Sequence, residues 1–170
     1  MPTDAELTFA DHVGRFYARR YAFPPMVGRL HGYLSVCDPP EQTIAELADA
    51  LLASRSAITN AVNVLETQHF VVRSRAAGER MDRVRINVTS PDALGIDVAE
   101  YEELVELMRE GLEVLADAPP ERRAVLLELS AFAEFLVEEI PNLRAAWQDR
   151  RAALVAAGKL PEHPAQGARR

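Results

Sequence analysis

The sequence predicts a mainly helical α+β fold, in which a helix-turn-helix and a small β-hairpin lie between long N- and C-terminal helices. Apolar residues recur at helical spacing along most of the 170 residues. Two amphipathic stretches between Thr43 and His69 are separated by only two or three residues, which is typical of a helix-turn-helix. The spacing then changes to strict alternation in residues 83–88, which indicates a half-buried strand.

The N-terminal region is predicted to form two helices. Thr3-Asp4-Ala5-Glu6 has the form of a capping box. Apolar residues follow it at helical spacing, and Pro24-Pro25 ends this first helix. A second apolar helix is expected from about Met26 to Val36, where Asp38-Pro39-Pro40 stops it.

The next stretch predicts a helix-turn-helix. Thr43 and Glu46 repeat the capping-box spacing at the start of a helix that ends near Leu52-Ala53. Ser54 is a suitable N-cap for the second helix. The expected inward stripe of that helix is Ile58, Ala61, Val62 and Leu65. Because the break between the helices is so short, the two helices must cross.

The region after this motif predicts a β-hairpin. Residues 70–75 are rich in β-branched side chains, and residues 83–88 alternate between polar and apolar. The segment 76–82 between them is turn-like, and Gly78 can supply a positive φ. Two strands around a polar tip, directly after a helix-turn-helix, form a wing. The predicted fold is therefore a winged helix-turn-helix.

The C-terminal region is predicted to be helical. Ser90-Pro91 opens it with a cap and a first-turn proline. Apolar residues from Val98 to Leu115 alternate steps of three and four, as in a heptad seam, and Pro119-Pro120 ends this helix. Two further helices are expected, one carrying residues 126–140 and the other residues 143–154. These seams offer a dimer surface; the alternative is that they pack only within the monomer.

Four segments follow from these elements. Residues 1–24 are expected to be an N-terminal dimerisation helix, 25–90 the winged helix-turn-helix, 91–158 a C-terminal helical dimerisation region and 159–170 a flexible tail. No apolar run approaches the ~20 residues of a membrane helix, and the N-terminus lacks the pattern of a secretory signal. One cysteine, Cys37, cannot form an internal disulfide. These features predict a cytoplasmic protein that does not bind membranes.

Charge is distributed unevenly along the chain. The formal net charge is −7, which by itself argues against a nucleic-acid partner. However, residues 53–85 contain six arginines and three acids, a local charge of +3. Residues 97–139 contain thirteen acids and three arginines, a local charge of −10. A basic island beside acidic helices can bind phosphates locally.

The second helix of the helix-turn-helix carries a candidate face for double-stranded DNA. Its outward positions are Arg55, Ser56, Thr59, Asn60 and Asn63. All of these side chains can hydrogen-bond to base edges or phosphates in the major groove. The alternative is a solvated amphipathic helix, but that face would usually carry acids and lysines.

The wing carries the remaining candidate DNA contacts. We expect Arg80 at its tip to enter a minor groove, with Asp82 holding its orientation. Four arginines on the strands suit phosphate contact. They are Arg73, Arg75, Arg83 and Arg85. The alternative for each arginine is a surface charge that keeps an exposed hairpin in solution.

Other chemistries have weaker support. Aromatic residues could line a pocket for an apolar or quaternary-ammonium ligand, although such residues more often form core. The ligand candidates are Phe16, Tyr17, Tyr33 and Trp147, with Tyr21 and Phe23 nearby in sequence. Cys37 suits a buried structural thiol better than an oxidation sensor, which needs a lowered pKa. The four histidines lack metal-ligand spacing, and no catalytic motif is present. No cofactor and no enzymatic activity are expected.

The order of these elements resembles the MarR superfamily of bacterial regulators. Residues 28–39, Gly-Arg-Leu-His-Gly-Tyr-Leu-Ser-Val-Cys-Asp-Pro, resemble the GbsR-like branch. Further signatures fall at Glu46-Leu47-Ala48, Ser54, Leu65-Glu66, Gly78-Glu79-Arg80 and Ala116–Arg122. The last of these resembles actinobacterial repressors of lipid or drug efflux pumps, and the likeness covers about residues 9–140. Two departures are Leu52, where the family often has Gly, and Met81, where efflux repressors often have a second basic residue.

The resemblance implies a homodimer with interlocked terminal helices and two recognition helices on a palindromic operator. It also implies a ligand pocket, through which a small lipophilic or cationic molecule changes the spacing of the recognition helices. The expected function is a repressor of a transporter or efflux operon. The alternatives are a winged-helix adaptor that does not bind DNA and a redox-responsive regulator using Cys37.

Overall fold

The computed structural model describes residues 1–75, 78, 80–88 and 97–162. The chain divides into two compact units, Met1–Gly95 and Ile96–Arg170. The first unit contains α1 (Asp4–Tyr21), α2 (Pro25–Leu34), β1 (Gln42–Thr43), α3 (Ile44–Ala50), α4 (Arg55–Thr67), β2 (Val71–Ser74) and β3 (Arg83–Ile86). The second unit contains α5 (Val98–Val114) and α6 (Pro120–Ala156). The predicted mainly helical fold with a small β wing is confirmed.

Three helices of the first unit begin at the predicted caps. Thr3 Oγ1 accepts a bond from the amide of Glu6, whose carboxylate accepts one from the Thr3 amide at 2.6 Å. The same reciprocal pair joins Thr43 and Glu46 at the start of α3. Ser54 Oγ accepts a bond from the Ala57 amide at 3.1 Å. Each cap satisfies amides that the helix itself leaves unpaired.

Helices α1 and α2 pack at very short range through glycines. A Cβ atom on Gly32 would lie 2.7 Å from the Cβ of Val13 and 2.9 Å from the Cα of Ala10. A Cβ on Gly28 would lie 2.8 Å from the Cβ of Tyr17. The two glycines of α2 therefore let its backbone approach α1 more closely than any other residue type would.

The helix-turn-helix forms the centre of the first unit. Leu47 of α3 and Leu51, the residue after α3, pack with Ile58 and Leu65 of α4. All four side chains are essentially inaccessible to water. The turn contains Leu52, which has a φ of 51° and a side chain that is 90% exposed. Leucine thus adopts the left-handed conformation here that usually favours glycine.

The wing is part of a three-stranded antiparallel sheet. Strands β2 and β3 pair from Val71↔Ile86 to Ser74↔Arg83, and Gly78 has the positive φ, 89°, that the sequence predicts. The sequence does not predict β1, whose two residues pair with β3 and give the order β1–β3–β2. The root of the wing is therefore hydrogen-bonded to the segment that begins α3.

In residues 97–162, which the structure describes, the second unit forms two helices where the sequence predicts three. Asp97 caps α5 by accepting a bond from the Ala99 amide at 3.0 Å; the predicted start at Ser90-Pro91 lies outside the described residues. Two helices were expected on either side of Pro141, but α6 runs through it for 37 residues. Proline removes one helical hydrogen bond, and this helix continues without that bond. Within the described ranges, no helix is both long and apolar enough to cross a membrane.

Candidate nucleic-acid interface

Helix α4 presents the predicted polar face to solvent. Arg55, Ser56, Asn60 and Asn63 are exposed, and Thr59 is half-buried. The expected inward stripe of Ile58, Ala61, Val62 and Leu65 is buried. The Ser54 cap fixes the start of the helix, and no carboxylate lies between Arg55 and Asn63. The face can therefore approach an anionic groove without acidic repulsion along two turns.

Near the end of the wing, Asp82 pairs with a different arginine from the one that the sequence predicts. Asp82 was expected to orient Arg80, whereas its Oδ1 accepts a bond of 2.7 Å from Nε of Arg75. This bond lowers the pKa of the Asp82 carboxyl and raises the pKa of Arg75. Arg80 is exposed beside this pair. An exposed guanidinium at this place can reach a groove edge or a phosphate.

The arginines of β3 form ion pairs with two glutamates, one on α3 and one just before β1. Arg83 Nη1 lies 3.3 Å from Oε2 of Glu46, and Arg85 Nε lies 3.3 Å from Oε1 of Glu41. Ser74 Oγ on β2 donates to the other oxygen of Glu41 at 3.2 Å. The pKa of Glu46 is lowered, mainly by the bonds from the Thr43 amide and hydroxyl, with Arg83 as a smaller cause.

Arg73 on β2 reaches back to α4. Its Nη2 donates to Oδ1 of Asn63, and its Nε lies 3.1 Å from Oε2 of Glu66. Nothing in the sequence indicates this contact, because the residues are several positions apart in the chain and belong to different elements. A guanidinium has five N–H donors, so an arginine in such a pair keeps donors for a phosphate.

Three comparisons bear on the family. A model of the MmpR5-like MarR family of transcriptional regulators matches residues 91–150. The HTH-type transcriptional regulator MmpR5 of Mycobacterium tuberculosis is 30% identical over 148 residues, covering 85% of this chain and 87% of that protein. A transcriptional regulator of known crystal structure superposes with a TM-score of 0.77 at 30% identity, covering 85% of this chain and 99% of that one.

The chain belongs to the MmpR5-like MarR family. It is a DNA-binding transcriptional regulator of the MarR type, as the sequence predicts. The winged helix-turn-helix described above is the DNA-binding fold of this MarR protein.

The aromatic ligand candidates of this MarR protein occupy three different environments. Phe16 is 51% exposed and meets half-buried Tyr17 edge to face, with ring centroids 5.5 Å apart. Tyr33 is buried in the core of the first unit. Trp147 belongs to α6 in the second unit, where it is 36% exposed. Within the first unit, the structure brings Phe16 and Tyr17 together, but it places Tyr33 in packed core.

Tyr17 is the centre of an aromatic cluster that the sequence does not predict as a whole. Its ring lies 5.1 Å from that of His31 and 5.9 Å from that of Phe70. Burial raises the pKa of the Tyr17 hydroxyl, with a smaller contribution from Tyr21, and lowers the pKa of His31. Burial thus favours the neutral form of His31, which is one of the rings that join α1 and α2 to the start of β2.

Cys37 is buried, as the sequence predicts. Its thiol donates to the carbonyl oxygen of Pro39 at 3.3 Å, and burial raises its pKa. A raised pKa suppresses the thiolate, which is the reactive form. Across the residues that the structure describes, no cluster of three or more His, Cys, Asp or Glu side chains could hold a metal ion.

The second unit of the MarR protein contains a cleft between its helices. Its volume is about 240 Å³. It is lined by Glu102, Val105, Glu106, Glu134, Val137 and Glu138. None of the aromatic ligand candidates lines this cleft.

Proposed function

We propose that this regulator reads double-stranded DNA with α4 in the major groove and the wing beside it. The proposed contacts are Arg55, Ser56, Thr59, Asn60, Asn63, Arg73, Arg75, Arg80 and Arg83. The observation that carries the proposal is the polar α4 face, which has hydrogen-bonding side chains and no carboxylate from Arg55 to Asn63. Residues at the start of such a helix suit base edges, and arginines on the adjoining strands suit phosphates.

Salt dependence tests this proposal against a winged-helix adaptor that lacks DNA binding. The protein is passed over heparin and then titrated, by fluorescence anisotropy, into duplex DNA from upstream of its own gene. We expect retention and affinity to fall steeply as salt rises, because phosphate contacts release counterions. An adaptor would show neither salt-dependent retention nor a shift of this DNA.

Arg80→Ala tests the wing separately. We expect weaker binding and a slope of log affinity against log salt that is smaller by about one unit per half-site, since each lost phosphate contact removes about 0.9 from that slope. Lys159→Ala is the control, because Lys159 is an exposed cation that lies outside both the proposed DNA contacts and the proposed interface segments. An Arg80 variant with the affinity and slope of the control would show that Arg80 does not contact DNA.

The same regulator is proposed to be a homodimer that uses segments 1–24 and 91–158 as its interface. MarR-family regulators function as dimers, and each unit of this chain leaves large apolar side chains exposed. On α1 these are Phe9, Phe16 and Tyr21, and on α6 they include Val125, Phe132, Phe135, Leu143 and Trp147. A two-fold dimer carries two copies of α4, which suits a palindromic operator with two half-sites.

A small-molecule signal is the remaining part of the proposal. The resemblance to efflux-pump repressors, including the GbsR-like segment Gly28–Pro39, supports a cytoplasmic repressor of a transporter or efflux operon. We propose that a small lipophilic or cationic ligand releases it, with the pair of exposed Phe16 and half-buried Tyr17 as the contact that the structure supports best. Candidate lipophiles should raise the melting temperature of the protein and lower its operator affinity. If neither changes, ligand regulation is wrong. The proposed role is regulatory and not enzymatic.

The redox alternative has no support in the geometry of Cys37. Its thiol is buried and hydrogen-bonded, with a raised pKa. Cys37→Ser should accordingly leave the effect of mild peroxide on DNA binding unchanged, as an anisotropy titration with and without peroxide would show.

A further inference from the structure

Asn63 of the recognition helix is held by a side chain of the wing. Arg73 Nη2 donates to Oδ1 of Asn63, while Arg73 Nε lies 3.1 Å from Glu66. Asn63 and Glu66 are three residues apart and therefore neighbours on the surface of α4. The guanidinium therefore hydrogen-bonds to Asn63 and lies within ion-pair distance of Glu66, and its bond to Asn63 orients that amide.

The chemistry of this contact determines which end of the Asn63 amide faces the wing. A guanidinium has N–H donors and no acceptor, so only the oxygen of the amide can face it. The Nδ2 amino group must then point away from Arg73. Asn63 itself is exposed, so this amino group is available to a groove.

A free asparagine reads adenine with both ends of its amide. Nδ2 donates to N7 of the base, and Oδ1 accepts from the N6 amino group. At Asn63 that oxygen already accepts from a cation, and an adenine amino group would have to approach it beside the positive charge of Arg73. Guanine instead presents two acceptors, N7 and O6, which suit the Nδ2 donor that Asn63 keeps available.

We propose that Arg73 is a positioning residue that makes Asn63 a hydrogen-bond donor and so favours guanine over adenine at the base pair contacted by Asn63. This rests on the proposed function, in which Asn63 contacts DNA. The pair of residues acts as one specificity determinant that spans α4 and the wing. Arg75 differs from Arg73 in its partner: Arg73 donates to a residue of α4, whereas Arg75 Nε donates to Asp82 of the wing itself at 2.7 Å.

Selection from a duplex pool with a randomised centre tests the proposal. The full chain is used as wild type, Arg73→Met, Asn63→Ala and the double variant, and the bound duplexes are sequenced. We expect Arg73→Met to change the preference at one base pair per half-site from guanine toward adenine, by about fivefold or more, the discrimination typical of one bidentate contact. The double variant should match Asn63→Ala, with no preference at that base pair.

Arg75→Met is the matched control. It removes the same charge from the same hairpin, and we expect weaker binding to all sequences with an unchanged motif. Thermal unfolding checks that each variant folds. If Arg73→Met does not fold, Arg73→Thr replaces it, because a β-branched side chain suits a strand.

The possible outcomes separate the two proposals. If Asn63→Ala changes the motif and Arg73→Met selects the wild-type motif, Asn63 reads DNA without help from Arg73, and the inference is wrong. It is also wrong if the shift caused by Arg73→Met persists when Asn63 is alanine. If Asn63→Ala leaves the motif unchanged, the assignment of Asn63 as a DNA contact fails first.

Discussion

At the scale of single residues, two positions in the first unit depend on backbone geometry more than on side-chain chemistry. Gly32 has room for no side chain, because α1 lies against its backbone. Leu52 has a left-handed backbone and a side chain that is 90% exposed. The first is an unusually good match of residue to site, and the second is an unusually poor one.

Gly32→Ala is expected to destabilise the protein. Its Cβ would lie 2.7 Å from the Cβ of Val13, and helices forced apart in this way typically lose about 1–3 kcal/mol. Gly111→Ala is the matched control, since the atoms nearest to its new Cβ belong to the flexible side chain of Leu126. That change should be neutral or stabilising because alanine favours a helix. Urea unfolding of both variants at one protein concentration measures the difference, and equal stabilities would contradict the close packing of α1 and α2.

Leu52→Gly should stabilise the protein, by about 0.5–1 kcal/mol. Leucine in the left-handed region costs about 1–2 kcal/mol, whereas glycine adds about 0.5–1 kcal/mol of chain entropy to the unfolded state. Little apolar burial is lost because the side chain is exposed. Leu107→Gly, within α5, provides the contrast and should lose at least about 1 kcal/mol. Thermal unfolding compares the two, and a destabilised Leu52 variant would mean that its side chain makes a favourable contact.

At the scale of elements, one arginine connects three helices of the first unit. Arg29 on α2 pairs with Asp11 on α1 at 2.6 Å and donates to the carbonyl oxygen of Leu51, at the end of α3, at 2.9 Å. The carbonyls in the last turn of a helix have no partner within the helix. Arg29 supplies a hydrogen-bond donor to one of these carbonyls, at the point where the chain turns toward α4.

Arg29→Met is expected to lower the free energy of unfolding by about 1–2 kcal/mol, because the partly buried Leu51 carbonyl loses its charged donor. Asp11→Asn keeps that donor and removes only a solvent-exposed ion pair, so its effect should be below about 1 kcal/mol. Chemical denaturation of the two variants separates these contributions. Equal losses would show that the Leu51 contact adds nothing beyond the ion pair.

The elements differ in how far the sequence could predict them. Periodicity and caps located α3, α4 and both wing strands, because each has enough residues to show a spacing. Strand β1 has only two residues, Gln42 and Thr43, and no spacing can reveal an element of that length. Pro141 suggested a break that α6 does not have. Proline disfavours the middle of a helix, but the loss is limited to one bond, and side-chain packing on either side can outweigh it.

At the scale of the whole molecule, the exposed apolar residues of α6 carry the prediction of a dimer. Phe132→Asp introduces a carboxylate at a position whose phenylalanine side chain is 59% exposed in the single chain. A monomer would tolerate it, but a buried interface would not. We expect sedimentation to show dissociation at concentrations where the wild type is a dimer, together with weaker operator binding.

Gln148→Asp is the control for this prediction, since it introduces the same carboxylate at an exposed polar position of α6. It should leave the oligomeric state unchanged. If Phe132→Asp behaves like this control, residue 132 is not part of an interface.

The candidate DNA face was predictable from sequence to different degrees. The exposed side of α4 followed from helical spacing alone, because only the buried stripe had to be recognised. The arginines of the wing were identifiable, but their partners Glu41, Glu46 and Glu66 were not. Those contacts depend on how β1, β3 and α4 pack against one another in three dimensions. The spacing of residues along the chain does not predict that packing.

The pairing of β1 with β3 has a consequence for how regulators of this kind diverge. The register Gln42↔Val84 and Thr43↔Arg83 anchors the base of the hairpin to the start of α3. The described residues between Ser74 and Arg83, Gly78 and Arg80 among them, lie beyond these paired rows. Substitutions, insertions or deletions there can change the contacts that the hairpin makes, while the base of the hairpin stays anchored to the start of α3. Paralogues could thus acquire new target promoters through this short segment, with little loss of folding stability along the way.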